Sequence, residues 1–320
     1  MKPIRCAVVG AGHFGRYHAQ KYAAMPDVRL VAVVDADPAR AQSIAREVGC
    51  AAHSDLGAVL GAIDAASVAV PTVAHHGVAA RLLEAGVNVL IEKPIAATLA
   101  EADDLVAIAA RRGLVLQVGH LQRFLLRRME IPARVAKPLY VEASRIAPFK
   151  PRGTDVGVVL DLMIHDIDLV QSLTSAPLAS VDAIGAPVVT TTEDMVNARL
   201  RFADGCVATL VASRVGAATE RRLRIYQRDS YLNVDLAARR LVELRRGDGP
   251  EPAPGLPGLA RAERAYPESD DLAEQIADFV ACVRDGRPPL VGGADGRRAL
   301  ETALRILASL RDNLRAAGLV

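Results

Sequence analysis

Apolar positions in the first 120 residues fall in short unbroken runs, at 4–9, 28–34, 65–70, 87–91 and 114–118. Runs that are apolar at successive positions predict strands buried on both faces of a parallel sheet. Between them, 13–24, 38–48, 74–85 and 99–111 repeat their apolar positions with the period of a helix. Strand–helix–strand alternation of this kind predicts right-handed βαβ crossovers and a doubly wound α/β sheet.

Beyond about residue 120 the pattern changes. Residues 139–146 read as a strand and 157–173 as a helix, after which alternating polar and apolar positions dominate as far as 244. Asp204-Gly205 marks a hairpin inside 198–213, and Arg228-Asp229-Ser230 marks another between 223–226 and 231–235. Four prolines and four glycines in 247–258 predict a surface loop, followed by helices at 271–285 and 295–316. The expected organisation is therefore a dinucleotide-binding domain over 1–120 and an α+β domain over 121–320. The second has an open, mainly antiparallel sheet with flanking helices.

Composition narrows the functional classes. The chain has 320 residues, 51% hydrophobic and 24% charged, with no Trp and only 3% aromatic residues. It lacks the stacking platforms of a single-stranded nucleic-acid binder. A net charge of +2 gives no electrostatic reason to expect DNA, RNA or an anionic membrane as partner. The four cysteines are scattered and form no C-x-x-C pair, which argues against a metal site or disulfide framework. No 18-residue apolar run and no leader pattern occur, so the expectation is a cytoplasmic protein. Only five of the 39 basic residues are lysines: Lys2, Lys21, Lys93, Lys137 and Lys150.

Chemistry enters at the first strand–helix turn. Gly10-Ala11-Gly12-His13-Phe14-Gly15 follows the strand and opens the helix. In such a turn the first glycine allows the tight bend, the second lets backbone approach a pyrophosphate, and the third lets the helix pack on the strand. The helix N-terminus presents N–H groups to the phosphates. Asp35 ends the second strand, where a carboxylate can accept from the ribose hydroxyls and would repel a 2′-phosphate. NAD is thus expected over NADP, although Arg40 lies nearby. Val70-Pro71-Thr72, followed by His75 and His76, and Glu92-Lys93-Pro94 close later strands at their carboxyl ends, where open α/β sheets bind ligands. The Lys–Pro step is a candidate cis bond. A chain that nearly always uses arginine places a lysine at this strand end, where a compact ammonium differs chemically from a guanidinium. Farther on, Asp161, His165, Asp166 and Asp168 share the helix 157–173. Asp161 and His165 at i, i+4 predict a shared face, and flanking carboxylates predict a raised histidine pKa.

Taken together, Gly10–Gly15, Asp35, the Pro71…His75 loop, Glu92-Lys93-Pro94, Arg123-Phe124 and Asp161-x-x-x-His165 resemble the glucose–fructose oxidoreductase/inositol dehydrogenase/MocA (Gfo/Idh/MocA) family. The resemblance implies a Rossmann domain followed by an α+β domain whose sheet joins subunits, here into a homodimer or homotetramer. It implies hydride transfer between NAD and a carbohydrate carbon, with Lys93, Asp161 and His165 catalytic. Cofactor contacts are implied for Gly10, Gly12, His13, Phe14, Gly15, Asp35, Val70, Pro71, Thr72, His75, Glu92, Lys93 and Pro94. Substrate contacts are implied for Arg123, Asp161, His165 and Arg214. Either Lys93 or His165 could take the substrate proton. Residues 197–202, 212–214 and 224–231 resemble a bacterial subgroup of UDP-N-acetylglucosamine 3-dehydrogenases of lipid A precursor synthesis. Arg214, Arg221, Arg222 and Arg224 would suit a sugar nucleotide, or form a solvated arginine-rich edge. The alternatives are an inositol or free-sugar dehydrogenase of the same family and a non-catalytic NAD-binding regulator.

Overall fold

The apolar runs at the front of the chain become a parallel sheet. Its strands are β1 (Ile4–Val9), β2 (Val28–Val34), β3 (Ala51–His53), β4 (Ala65–Val68), β5 (Asn88–Ile91) and β6 (Leu116–Val118), in the order β3-β2-β1-β4-β5-β6. The computed structural model describes residues 2–150, 156–174, 176–247 and 256–318. Every residue of β4 and β6 is buried, as expected of strands covered on both faces. The crossovers are α1 (His13–Ala24), α2 (Pro38–Val48), α3 (His75–Glu84) and α4 (Leu99–Arg112). Local chemistry fixes their ends. The Asp37 carboxylate caps the Ala39 and Arg40 N–H groups ahead of α2, Pro38 opens that helix, and Gly49 closes it at φ 73°. Thr98 and Glu101 form a reciprocal capping box on α4. Strand order reverses between β1 and β4, which opens the crevice where such sheets take nucleotides.

The chain divides into two units, and here the structure departs from the expected break at 120. The first unit comprises Met1–Phe124 and Asp270–Leu300; the second comprises Leu125–Ser269 and Glu301–Val320. The C-terminal part of the chain thus returns to the parallel sheet. Ile276, Phe279 and Val280 of α8 (Asp271–Asp285) are buried in one cluster with Val8, Tyr22 and Leu90. Helical periodicity shows that α8 has an apolar stripe but not which sheet that stripe covers. Two short helices, α5 (Gln122–Arg128) and α6 (Ile131–Arg134), lie near the division and were not anticipated.

In the second unit an eight-stranded sheet runs β14-β13-β12-β11-β7-β10-β9-β8. Its strands are β7 (Tyr140–Ile146), β8 (Leu178–Ala186), β9 (Met195–Phe202), β10 (Val207–Ser213), β11 (Glu220–Tyr226), β12 (Ser230–Asp235), β13 (Arg240–Arg246) and β14 (Leu259–Ala265). All neighbours are antiparallel except β7 and β10, which pair in parallel. The β9–β10 hairpin turns at Asp204-Gly205 and the β11–β12 hairpin at Gln227–Asp229, matching both turn signals. Alternation puts Val141, Ala143 and Arg145 on the buried face of β7, while Tyr140, Glu142 and Ser144 stay half-exposed on the other. Besides α6 and most of α5, this unit holds α7 (Ile164–Leu173) and the later part of α9 (Gly293–Ala316). Most of the 247–258 loop (residues 248–255) lies outside the described residues. Among the described residues no helix is long and apolar enough to cross a membrane.

Candidate active site

The glycine turn has the shape its sequence predicted. Gly10 adopts φ 101°, and a Cβ there would meet the Ala69 carbonyl at 2.5 Å. A Cβ on Gly15 would run into the Gly10 carbonyl, whereas nothing lies within 4 Å of one built on Gly12. The loop is therefore tight against the sheet at both ends and open at Gly12, where a pyrophosphate needs room. Asp35 braces it by accepting from Ala11 N at 2.6 Å and Asp37 N at 2.8 Å. Each carboxylate oxygen keeps a lone pair for a ribose hydroxyl. Arg40 is bound to Asp37 at 2.9 Å. The residues present therefore fit a dinucleotide with a free 2′-hydroxyl. His13 and Phe14 open α1 beside this loop, with Phe14 exposed.

At the neighbouring strand ends, Val70, Pro71 and Thr72 lead into α3. Buried His75 ties that loop to the next one, its Nδ1 2.8 Å from the Pro94 carbonyl and its Nε2 3.0 Å from the Val70 carbonyl. Burial lowers its pKa, while the carbonyls of Pro94 and Val70 act the other way. His75 thus positions the loop rather than offering a free ring edge. The Lys93–Pro94 bond is cis.

Behind half-buried Lys93 lies a chain of groups that sequence reasoning missed. Glu92 accepts from His18 Nε2 at 3.0 Å; His18 Nδ1 lies 2.9 Å from Ser67 Oγ, and Ser67 Oγ lies 2.9 Å from the Tyr22 hydroxyl. A neutral His18 protonated on Nε2 satisfies every atom: Tyr22 donates to Ser67, Ser67 to His18, and His18 to Glu92. Burial penalises the Glu92 charge, yet the His18 hydrogen bond and Lys93 together hold the carboxyl below its ordinary range. A Cβ on Gly119 would come within 2.9 Å of the Glu92 carboxylate. The available signal was the spacing of Gly15, His18, Ala19 and Tyr22, which puts His18 on the buried stripe of α1.

Lys93 also shares surroundings with His120, another residue the sequence reading passed over. His120 follows β6 and is 1% exposed. Burial, then the charges of Arg123 and Lys93, push its pKa down to about 3, against the pull of Glu92 and Asp295. Arg123 lies 3.5 Å from Asp295 with its side chain 11% exposed. Lys93, His120, Arg123, Glu92 and Asp295 therefore form one charged cluster in the first unit.

The second unit carries the other candidates. Here the expected continuous α-helix over 157–173 is corrected, because its first turn, Val159–Met163, is π-helical before α7 begins. A π turn closes i→i+5 hydrogen bonds, so the i, i+4 spacing of Asp161 and His165 does not by itself guarantee a common face. Both residues are half-buried. Asp166 does not serve His165. It is bound bidentately by Arg145, with Nε at 2.9 Å and Nη2 at 2.7 Å, and both residues are under 5% exposed.

Arg214, expected to contact substrate, is 7% exposed and directed inward. It donates to the Val156 carbonyl and lies 3.6 Å from Asp194. Burial opposes the Asp194 charge, but the N–H groups of Thr190, Val189 and Val188 hold its pKa far below the ordinary range. Next to Asp194, the Glu193 carbonyl accepts from Val158 N at 3.1 Å. The Asp194–Arg214 clamp thus anchors the entry to the π turn that carries Asp161.

Comparison with known proteins now adds to this geometry. Residues 4–120 match the model of an oxidoreductase family with an NAD-binding Rossmann fold, and residues 137–231 match the GFO/IDH/MocA C-terminal domain. The chain belongs to the Gfo/Idh/MocA family. It is an NAD-dependent oxidoreductase. It is 41% identical to a UDP-N-acetylglucosamine 3-dehydrogenase of Acidithiobacillus ferrooxidans, over 95% of this chain and 96% of that one. A solved structure of that enzyme superposes with a TM-score of 0.91 at 40% identity, covering 97% and 98% of the two chains. A scyllo-inositol 2-dehydrogenase (NAD(+)) of Bacillus subtilis is 26% identical over 97% of this chain and 95% of its own.

Proposed function

We propose that this enzyme oxidises the C3 hydroxyl of UDP-N-acetylglucosamine. The likeness to the Acidithiobacillus enzyme along nearly the whole chain carries the reading, and the sequence holds Lys93, Asp161 and His165 to serve it. When bound, NAD supplies the hydride acceptor. The turn at Gly10, Gly12 and Gly15 receives the pyrophosphate on the α1 N-terminus, and Asp35 takes the ribose hydroxyls. His165 accepts the hydroxyl proton as general base while the same carbon gives up its hydride, leaving a ketone. Lys93 donates to the reacting oxygen and stabilises its developing negative charge, with the Glu92 carboxylate beside it. Asp161 orients the substrate and His165. Arg123 supports the Lys93 cluster.

The same reading places the protein in the cytoplasm, in lipid A precursor synthesis. It makes the half-exposed face of the eight-stranded sheet the contact between identical subunits. That face carries the tyrosines Tyr140, Tyr226 and Tyr231, with ring centroids 5.7 and 4.8 Å apart along the row.

The test is a panel of sugar nucleotides, free sugars and inositols with NAD, followed by the absorbance of reduced nicotinamide. Turnover of UDP-N-acetylglucosamine but not of inositol or glucose is expected. The inositol dehydrogenase relative supports a second reading, which turnover of inositol alone would establish. Binding of NAD without turnover of any compound would instead indicate a regulator.

A further inference from the structure

The arginines of the second unit differ in how much of their charge is already spent. Arg145 is neutralised by Asp166, Arg214 turns inward onto Asp194, and Arg224 pairs with Glu142 at 2.6 Å on the half-exposed face of the sheet. Arg222 shares that face and sits in register with Asp235. Arg221 is different. It stands directly opposite Arg145 in the β7–β11 ladder, and alternation along β11 turns it to the same face as Arg145, Leu223 and Ile225. Asp166 of α7 reaches Arg145 on that face. Among the described residues no carboxylate lies within ion-pair distance of Arg221. Two guanidiniums face each other across neighbouring strands with one carboxylate between them, an arrangement that repels unless a further anion joins it.

We propose that Arg221 is the anchor for the diphosphate of a sugar nucleotide. The inference rests on the function proposed above and adds the group that would distinguish a nucleotide-linked sugar from a free one. Three observations support it. Arg221 is exposed, so a ligand can reach it. Burial, followed by the charge of Arg145, nevertheless draws its pKa below the ordinary guanidinium value against the pull of Asp166, which places the group against a desolvating wall. His165 directly precedes Asp166, the residue that Arg145 holds, so the proposed base and the proposed anchor are tied to one face of one unit. A planar guanidinium matches two phosphate oxygens at once, and an ammonium does not.

The experiment uses the intact enzyme with NAD and compares wild type with Arg221→Met and Arg221→Lys. Steady-state kinetics with UDP-N-acetylglucosamine are paired with calorimetric titration of UDP and of uridine. Loss of a charge-assisted bidentate contact should raise KM and the Kd for UDP by about 10- to 100-fold in Arg221→Met, leaving kcat within about two-fold. Arg221→Lys should fall between, and uridine and NAD affinities should hold. If wild type turns over the substrate while both variants keep its KM and UDP affinity, the anchor assignment is wrong and the proposed function stands. If wild type binds UDP through Arg221 but oxidises no UDP-sugar, the proposed function fails and the anchor survives. Wild type that neither binds UDP nor oxidises a UDP-sugar overturns both.

Discussion

Glu92 and Asp166 occupy matching places in the two units. Each is a buried carboxylate one residue away from a candidate catalytic group, Lys93 in one case and His165 in the other. They are satisfied in opposite ways. Glu92 rests on a histidine and two hydroxyls, so its negative charge stays available to the neighbouring ammonium. Asp166 is matched by the Arg145 guanidinium, so its charge is cancelled and His165 is left without it. A carboxylate next to a catalytic residue in sequence therefore says nothing about charge at the site until its partner is known. The first arrangement leaves a negative charge beside Lys93, and the second fixes a helix and leaves Arg221 without an ion pair of its own among the described residues.

The comparison can be broken at several points. The largest effect is expected from Lys93→Met, which should lower kcat by about 10²- to 10⁴-fold while calorimetric NAD affinity holds. Turnover near normal would remove the site from the Lys93 side altogether. Next, Arg145→Met strands Asp166 as a buried charge and should cost about 3–5 kcal/mol in denaturant unfolding. The double change Arg145→Met with Asp166→Asn should recover most of that loss, and failure to recover would mean that the pair is not the source.

His18→Phe should cost about 1–3 kcal/mol, since it removes the buried imidazole that Glu92 and Ser67 both bond. It should act on the acid side as well. A carboxyl with a depressed folded pKa contributes stability above its unfolded pKa near 4.5 and loses it as pH falls through the folded value. The variant should therefore show a weaker acid dependence there than wild type. The smallest effect at neutral pH belongs to His120→Gln. With a folded pKa near 3 against 6.5 unfolded, wild type binds fewer protons folded than unfolded and loses stability as pH drops from 6.5 toward 3. Unfolding followed across that window should be flatter in the variant, and an unchanged slope would place the acid sensitivity elsewhere.

Much of the first unit was legible because its signals are local. The bounds of β1, β2, α1 and α2 follow directly from apolar runs and caps such as Asp37, and the glycine turn was recognisable from neighbours in sequence. In the second unit the hairpin turns were readable at Asp204-Gly205, but β14 and the π turn at Val159–Met163 were not. A π turn is one residue of extra winding imposed by what surrounds the helix, and composition leaves no trace of it. For Arg214 the sequence supplies the charge and withholds the partner, Asp194.

The sequence by itself determined the parallel sheet, the dinucleotide turn, the preference for NAD through Asp35 and the lone lysine at the strand end. Each depends on contacts within a few residues or on a repeating period. Only the tertiary structure decided that α8 returns to the first sheet, that His18 stands behind Glu92, and that Arg145 rather than His165 owns Asp166. Those outcomes join residues 74 and 21 positions apart for the last two. Charge pairing at such separation is set by how strands and helices pack, and periodicity carries no information about it.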